Sequence, residues 1–266
     1  MRPSLTIRPP PARSNLVDSR HRGTDVSRAR KTISLDSAAL RELLWLVAGW
    51  LAVVGLARYS SLDHALSALF YDPIAQAFPR RHDPFWADVL YRGLKAVSIV
   101  GWLLLAVIWA RLRWRRAHEP LRAAIGFTLL IGPLAAVVVS WARANSVHSC
   151  PWDLALYGGA AEYFRLFDSP PANAGPGRCA PSGHASAGFL WLAGYIAARR
   201  AYAPQARSVL IAALGLGAVA GTTQIVRGAH FLSHVLLTAW ICLAVAWLCE
   251  RLRSIWRARR ASAVDA

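Results

Sequence analysis

The sequence is short of acid and of lysine. Asp and Glu number 14 against 31 Lys and Arg, for a formal net charge of +17, and Lys31 and Lys95 are the only lysines. So basic a chain raises the question of nucleic-acid binding. Its arginines, however, fall between long apolar runs, which is the pattern of a membrane protein, so no nucleic-acid partner is expected. Scarce Lys beside abundant Arg and Ala is what a GC-rich genome produces. The chain also lacks a Cys-x-x-Cys pair, the usual mark of a catalytic disulfide. No apolar region follows the basic N-terminus closely, so this is not a secretory signal. Neither an internal repeat nor a pair of interrupted apolar segments is present, which argues against a transporter.

What the chain does have is apolar surface. Of its 266 residues 55% are hydrophobic and 12 are Trp, with a mean hydropathy of +0.32. That is too apolar for an ordinary soluble domain of this length. Residues 1–40 differ: rich in Pro, Arg and Ser, they have no apolar run and are expected to be a disordered basic tail. After them come six apolar stretches, at 42–58, 94–110, 121–141, 185–198, 208–226 and 231–249. Several approach the roughly 20 residues that cross a bilayer core; the fourth is short. The fold expected is all-α, a polytopic membrane helical bundle of about six transmembrane helices over residues 41–252, followed by a basic tail at 253–266.

Basic segments set the orientation. "RLRWRRAHEPLR", "ARRAYAPQARS", "ERLRSIWRARR" and the N-terminal tail fall on one side of a six-span layout. The positive-inside rule makes that side cytoplasmic, with both termini inside. The outer side receives residues 59–93, in which "SLDHALSALFYDPIAQAF" is a candidate amphipathic surface helix. It also receives residues 142–184 and the turn at 227–230.

The residues that need explaining converge on that outer face. In "APSGHAS", Ser182 is a candidate N-cap and Gly183 permits close backbone approach. A helix N-terminus binds anions, and His184 stands beside it with a side chain suited to proton transfer near neutral pH. In "TQIVRGAHFLSHVL", Arg227 offers a planar fork for phosphate, and His230 can attack phosphorus through one ring nitrogen if a partner fixes the other. Arg143, at the outer end of the third stretch, supplies a further cation. His230 and His234, at i and i+4, could also share a metal, but no Glu follows His230 and the outer acids have no ligand spacing. A haem would need partners deeper in the membrane. Cys150 and Cys179 both fall outside the cytoplasm, where a structural disulfide is favoured.

Together these segments resemble the three-part signature of the type 2 phosphatidic acid phosphatase superfamily, K-x6-R-P, P-S-G-H and S-R-x5-H-x3-D. The middle part is intact as Pro181-Ser182-Gly183-His184. The first is matched by Arg143, six residues, then Cys150-Pro151. The third is matched by Gln224, five residues, His230, three residues, then His234. Arg143 keeps the charge of the family's lysine. Cys150 and Gln224 replace arginines, and His234 replaces the aspartate that orients the nucleophile. Arg227 and Arg178 are the candidate substitutes for those arginines, and His234 or Asp153 for the orienting group.

The resemblance implies a metal- and cofactor-independent phosphatase acting on a lipid phosphate or diphosphate. His230 is then the nucleophile and His184 the acid and base, while Arg143, Arg178, Arg227, Ser182 and Gly183 hold the phosphoryl oxygens. The setting implied is a bacterial inner membrane, with the site on the periplasmic face. A phosphotransferase, or a degenerate phospholipid-binding protein without turnover, would use the same constellation.

Overall fold

The computed structural model describes residues 37–201 and 203–264. The expected tail therefore lies, but for its last four residues, outside the described residues. The chain divides into two units, 1–40 and 41–266, and the second carries everything below. The described residues form an all-helical membrane bundle. Its helices are α1 (Ser37–Tyr59), α2 (Leu62–Ala68), α3 (Tyr91–Trp114), α4 (Glu119–Ala144), α5 (Ser186–Phe189), α6 (Leu192–Ala201), α7 (Ala203–Val226) and α8 (Leu232–Val264).

Five segments are long and apolar enough to cross a membrane: those of α1, α3, α4, α7 and α8. The stretch expected at 185–198 is helical but divided into α5 and α6. At the division the bonding tightens from i→i−4 to i→i−3, with Trp191 N donating to Gly188 O and Ala193 N to Leu190 O. The pair spans about 24 Å at 1.5 Å per residue, short of a bilayer core of about 30 Å.

Burial separates the helices into two groups. Only 17% of the apolar window of α1 and 6% of that of α3 are buried within the protein, against 39% for α4 and 44% for α7. The outer pair thus shows its apolar surface to lipid, and the packed core belongs to α4 through α8. Val139, Ala185, Phe189, Leu192, Ala213 and Cys242 fill its centre. α5 crosses α7 at backbone contact: a Cβ on Gly188 would lie 2.1 Å from Gly217 N, and one on Gly217 would lie 2.2 Å from the Phe189 ring. Small residues permit this where apolar burial alone does not drive helices together.

The segment expected to be an amphipathic surface helix is helical only as α2. Pro73 interrupts it, and Pro79 and Pro84 follow just beyond, since proline lacks the N–H a helix needs. Asp72 and Asp83 each accept two backbone N–H groups just beyond themselves, the Asx geometry that favours turns over helix. A π-type turn at Phe85–Leu90 then leads into α3. At the opposite end α8 runs past its expected limit near 249, because "ERLRSIWRARR" holds no Gly or Pro to stop it. There Glu42 accepts hydrogen bonds from Arg199 at 2.5 Å, Arg251 at 2.5 Å and Trp247 at 2.8 Å, tying α1, α6 and α8 together.

The start of α8 is capped from far away in sequence. Buried Asp63, on α2, accepts the Ser233 N–H at 2.9 Å, satisfying a first-turn donor and opposing the positive end of the helix. Asp63→Ala is expected to lower the thermal midpoint of the detergent-solubilised protein, at a cost of about 1–2 kcal/mol. An unchanged midpoint would mean that the cap contributes nothing.

Candidate active site

The turn between α7 and α8 is built by glycine. Gly228 has φ +70°, its N–H donates to Ile225 O at 2.9 Å, and the Ala229 N–H donates to Gln224 O at 2.8 Å. This is a Schellman motif, for which the left-handed conformation suits glycine. A Cβ at Gly228 would lie 2.3 Å from the Phe78 ring. The turn ends α7 abruptly and places Gln224, Arg227 and His230 together.

The Pro181–His184 segment is sewn onto α8. Ser182, fully buried, donates its N–H to His234 O at 3.1 Å and accepts the Thr238 hydroxyl on its carbonyl at 3.0 Å. Its hydroxyl reaches the Ala185 N–H only at 3.5 Å, so it ties rather than caps. α5 is four residues long, so the helix dipole expected there is small. What this end of the bundle presents is chiefly side chains.

Those side chains surround a cavity of about 510 Å³ at one end of the bundle. His184, His230, Arg143, Gln224, Arg227 and Cys150 line it. Arg143 donates Nε–H to Arg178 O at 2.9 Å and runs past Gly183, where a Cβ would meet Nη1 at 3.4 Å. Arg227 donates Nε–H and Nη2–H to Arg81 O at 3.1 and 3.0 Å, leaving the rest of its fork for a ligand. The Nε2 atoms of His184 and Gln224 are buried and have no hydrogen-bond partner among the described residues. Buried donors left this way mark a place where a ligand or water belongs.

Burial first, and neighbouring positive charge second, favour the neutral form of both histidines. Burial pushes His230 down to about 3, helped by the charge of Arg143 and opposed by a contact with Cys179. Burial likewise pushes His184 down to about 4, with Arg227 and Lys95 adding to it. The positive charges of Arg143, Arg227 and Lys95 that add to that effect also favour an anion over a cation beside them.

The remaining sequence candidates sit elsewhere. Cys150 and Cys179 form a disulfide. The Cys179 sulfur lies 3.4 Å from His230 Nδ1 and 2.9 Å from Ala229 O, and it has no proton to donate. His234 stands behind His230, with ring centroids 5.9 Å apart. Its Nδ1 has no partner among the described residues, and it lines a separate small cavity with Asp63 and Glu162. The Arg178 side chain is exposed and does not line the main cavity; its carbonyl holds Arg143 instead. Asp153 sits in a turn, where its carbonyl accepts the Ala160 and Ala161 N–H groups.

Sequence reasoning missed the wall opposite. His82, Asp88, Tyr91, Arg92 and Trp152 also line the cavity. Tyr91 stacks on His184 at 4.2 Å, and the Arg227 guanidinium lies 5.3 Å from the centre of the same ring. The available signal was the i, i+3, i+4 spacing of Asp88, Tyr91 and Arg92, a polar stripe at the mouth of an apolar run.

A family model described as the PAP2 superfamily matches residues 144–257, taking in Cys150-Pro151, the intact Pro-Ser-Gly-His and the segment from Gln224 to His234, with Arg143 one residue before it. Among solved structures, a transmembrane PAP2-type phosphatidylglycerolphosphate phosphatase from Bacillus subtilis is similar. It is 16% identical with a TM-score of 0.45, and the match covers 79% of this chain and 95% of that one. No curated protein matches. With the family model laid over the motifs in their order, residues 144–257, a little under half of the chain, are similar to the PAP2 superfamily.

Proposed function

We propose that this multi-pass membrane protein is a phosphatase that removes phosphate from a lipid phosphate or diphosphate through a phosphohistidine on His230. The observation that carries the reading is the convergence of His184, His230, Arg143 and Arg227 on one cavity, where the buried Nε2 atoms of His184 and Gln224 have no hydrogen-bond partner among the described residues. His230 Nδ1 faces the Cys179 sulfur, so Nε2 is the attacking atom. As the Nε2–P bond forms and the P–O bond breaks, His184 gives its proton to the departing oxygen. Water then attacks phosphorus, His184 takes the proton back, and phosphate leaves. Arg143, Arg227 and Gln224 hold the equatorial oxygens as charge builds. The scheme needs no metal and no cofactor. Basic segments at the far end of the bundle support both termini inside and a site on the periplasmic face of a bacterial inner membrane.

Phosphate release by the purified protein tests the reading, with phosphatidate, phosphatidylglycerophosphate, undecaprenyl diphosphate and lipid A as substrates. One observation favours a second reading: among the described residues no carboxylate stands on His230 Nδ1, which faces the Cys179 sulfur, so a lipid phosphate could bind without turnover. Binding of these lipids with no release would select that alternative. Phosphate appearing on an added lipid acceptor would select a phosphotransferase.

A pH dependence follows from His184. It is neutral in the free site, with its pKa held at about 4, and a bound dianion beside it must raise that value. Binding therefore takes up a proton, and affinity falls as pH rises through the raised pKa. Tungstate, dianionic throughout, is expected to bind more weakly at about pH 8.5 than at about pH 6.5, the region where histidine titrates. His184→Ala should flatten the profile, and a slope unchanged in that variant would remove His184 from the site.

A further inference from the structure

The sequence placed no metal here, because His230 and His234 have no third ligand near them in the chain. The fold supplies one. Cys179 Sγ and one ring nitrogen from each of His230 and His234 lie within 4.8 Å of one another, and all three residues are buried. We propose that the Cys150–Cys179 disulfide is a redox latch over a zinc-class metal site: when it is reduced, Cys179, His230 and His234 bind a soft divalent cation that takes His230 out of catalysis. This rests on the reading of His230 as the nucleophile.

The dimensions agree with the chemistry. Tetrahedral zinc, with Zn–S near 2.3 Å and Zn–N near 2.0–2.1 Å, holds sulfur and nitrogen about 3.5 Å apart. Cys179 Sγ and His230 Nδ1 are already 3.4 Å apart. His234 Nδ1 is buried and without a partner among the described residues, and the His234 nitrogen of the cluster, within 4.8 Å of the other two ligand atoms, has only a small side-chain adjustment to make to complete the set. Thiolate and imidazole are the donor set that zinc-class ions prefer. In the oxidised state the sulfur has no thiolate to give, so the site is closed.

The latch opens from the cavity side. Cys150 lines the cavity while Cys179 is wholly buried. A dithiol reductant attacks the Cys150 sulfur, and Cys179 leaves as thiolate. The second thiol of the reductant then attacks the mixed disulfide and frees Cys150. Two electrons pass from the dithiol, which ends as a disulfide, and both protein sulfurs end as thiols. Metal binding displaces the Cys179 proton to solvent. With the metal on His230 Nδ1, Nε2 must carry the ring proton and has no lone pair for phosphorus.

Co²⁺, a spectroscopic stand-in for Zn²⁺, tests the site directly on the full-length protein in detergent. The tetrahedral thiolate absorption of Co²⁺, displaced by Zn²⁺, is expected at one equivalent in Cys150→Ser and in the reduced wild type. It should be absent from the oxidised wild type and from Cys150→Ser/Cys179→Ser. Adding His230→Ala or His234→Ala to Cys150→Ser should weaken binding at least tenfold. The same absorption in the oxidised protein or in the double variant, where Cys242 and Cys249 remain, overturns the proposal. So does its absence from both the reduced wild type and Cys150→Ser when each keeps a cooperative thermal transition. Zn²⁺ should also stop phosphate release by Cys150→Ser while sparing the oxidised wild type. Metal binding in a protein that never releases phosphate would instead count against the phosphatase reading and leave the metal site standing.

Discussion

His230→Ala is expected to lower phosphate release on the order of 10⁴-fold or more, since removing a covalent nucleophile leaves only binding and charge stabilisation. The ring is 5% exposed and stands beside Arg143 and the Cys179 sulfur, so truncation also opens a void. His230→Asn, which refills part of that volume without a nucleophilic nitrogen, separates chemistry from folding. Both variants should lose turnover, and His230→Asn should keep a thermal midpoint near that of the wild type. Acid-quenched labelling adds a qualitative readout. With an activated aryl phosphate, whose leaving group needs no proton, His184→Ala should accumulate labelled phosphoenzyme, because water loses its base in the second step. No label should appear in His230→Ala. Label persisting there would place the nucleophile elsewhere.

The helical spans were legible because bilayer-length apolar runs leave a helix as the only way to satisfy the backbone. The fourth was the exception. Its Gly188 exists to let α5 cross α7 at backbone contact, and its length is set by packing rather than by bilayer thickness. The site was legible where chemistry is confined to one segment: His184 beside Ser182 and Gly183, or Arg227 three before His230. It was not legible where residues arrive from a distance. Tyr91 under His184 and Asp63 at the start of α8 come from a proline-broken segment with no period to read. Arg178 shows the converse. Its place before the Pro-Ser-Gly-His segment suggested a side chain for phosphate, yet the fold uses its backbone carbonyl and turns the guanidinium outward.

That contrast yields the second large effect. Arg143 lines the cavity and passes over Gly183, so Arg143→Ala should cut kcat/KM on the order of 10²–10³-fold, as losing one stabiliser of transition-state charge does. Arg143→Lys should recover part of this, because the cation returns while the fork does not. Arg178→Ala should stay within about threefold of the wild type, since its carbonyl, the atom that receives Arg143 Nε–H, survives the substitution and exposed side chains away from a site change little. Arg227→Ala should fall between them and also lower the thermal midpoint, for its guanidinium pins the Arg81 carbonyl with two hydrogen bonds. Steady-state phosphate release across the four variants decides the matter. Equal losses at Arg143 and Arg178 would mean that phosphate is gripped from the exposed loop. A large loss at Arg143, partly restored by lysine, with a smaller loss at Arg227 and none at Arg178, assigns the place of the signature's lysine to Arg143, and leaves Arg227 and Gln224 to do the work of the arginine that the third motif lacks.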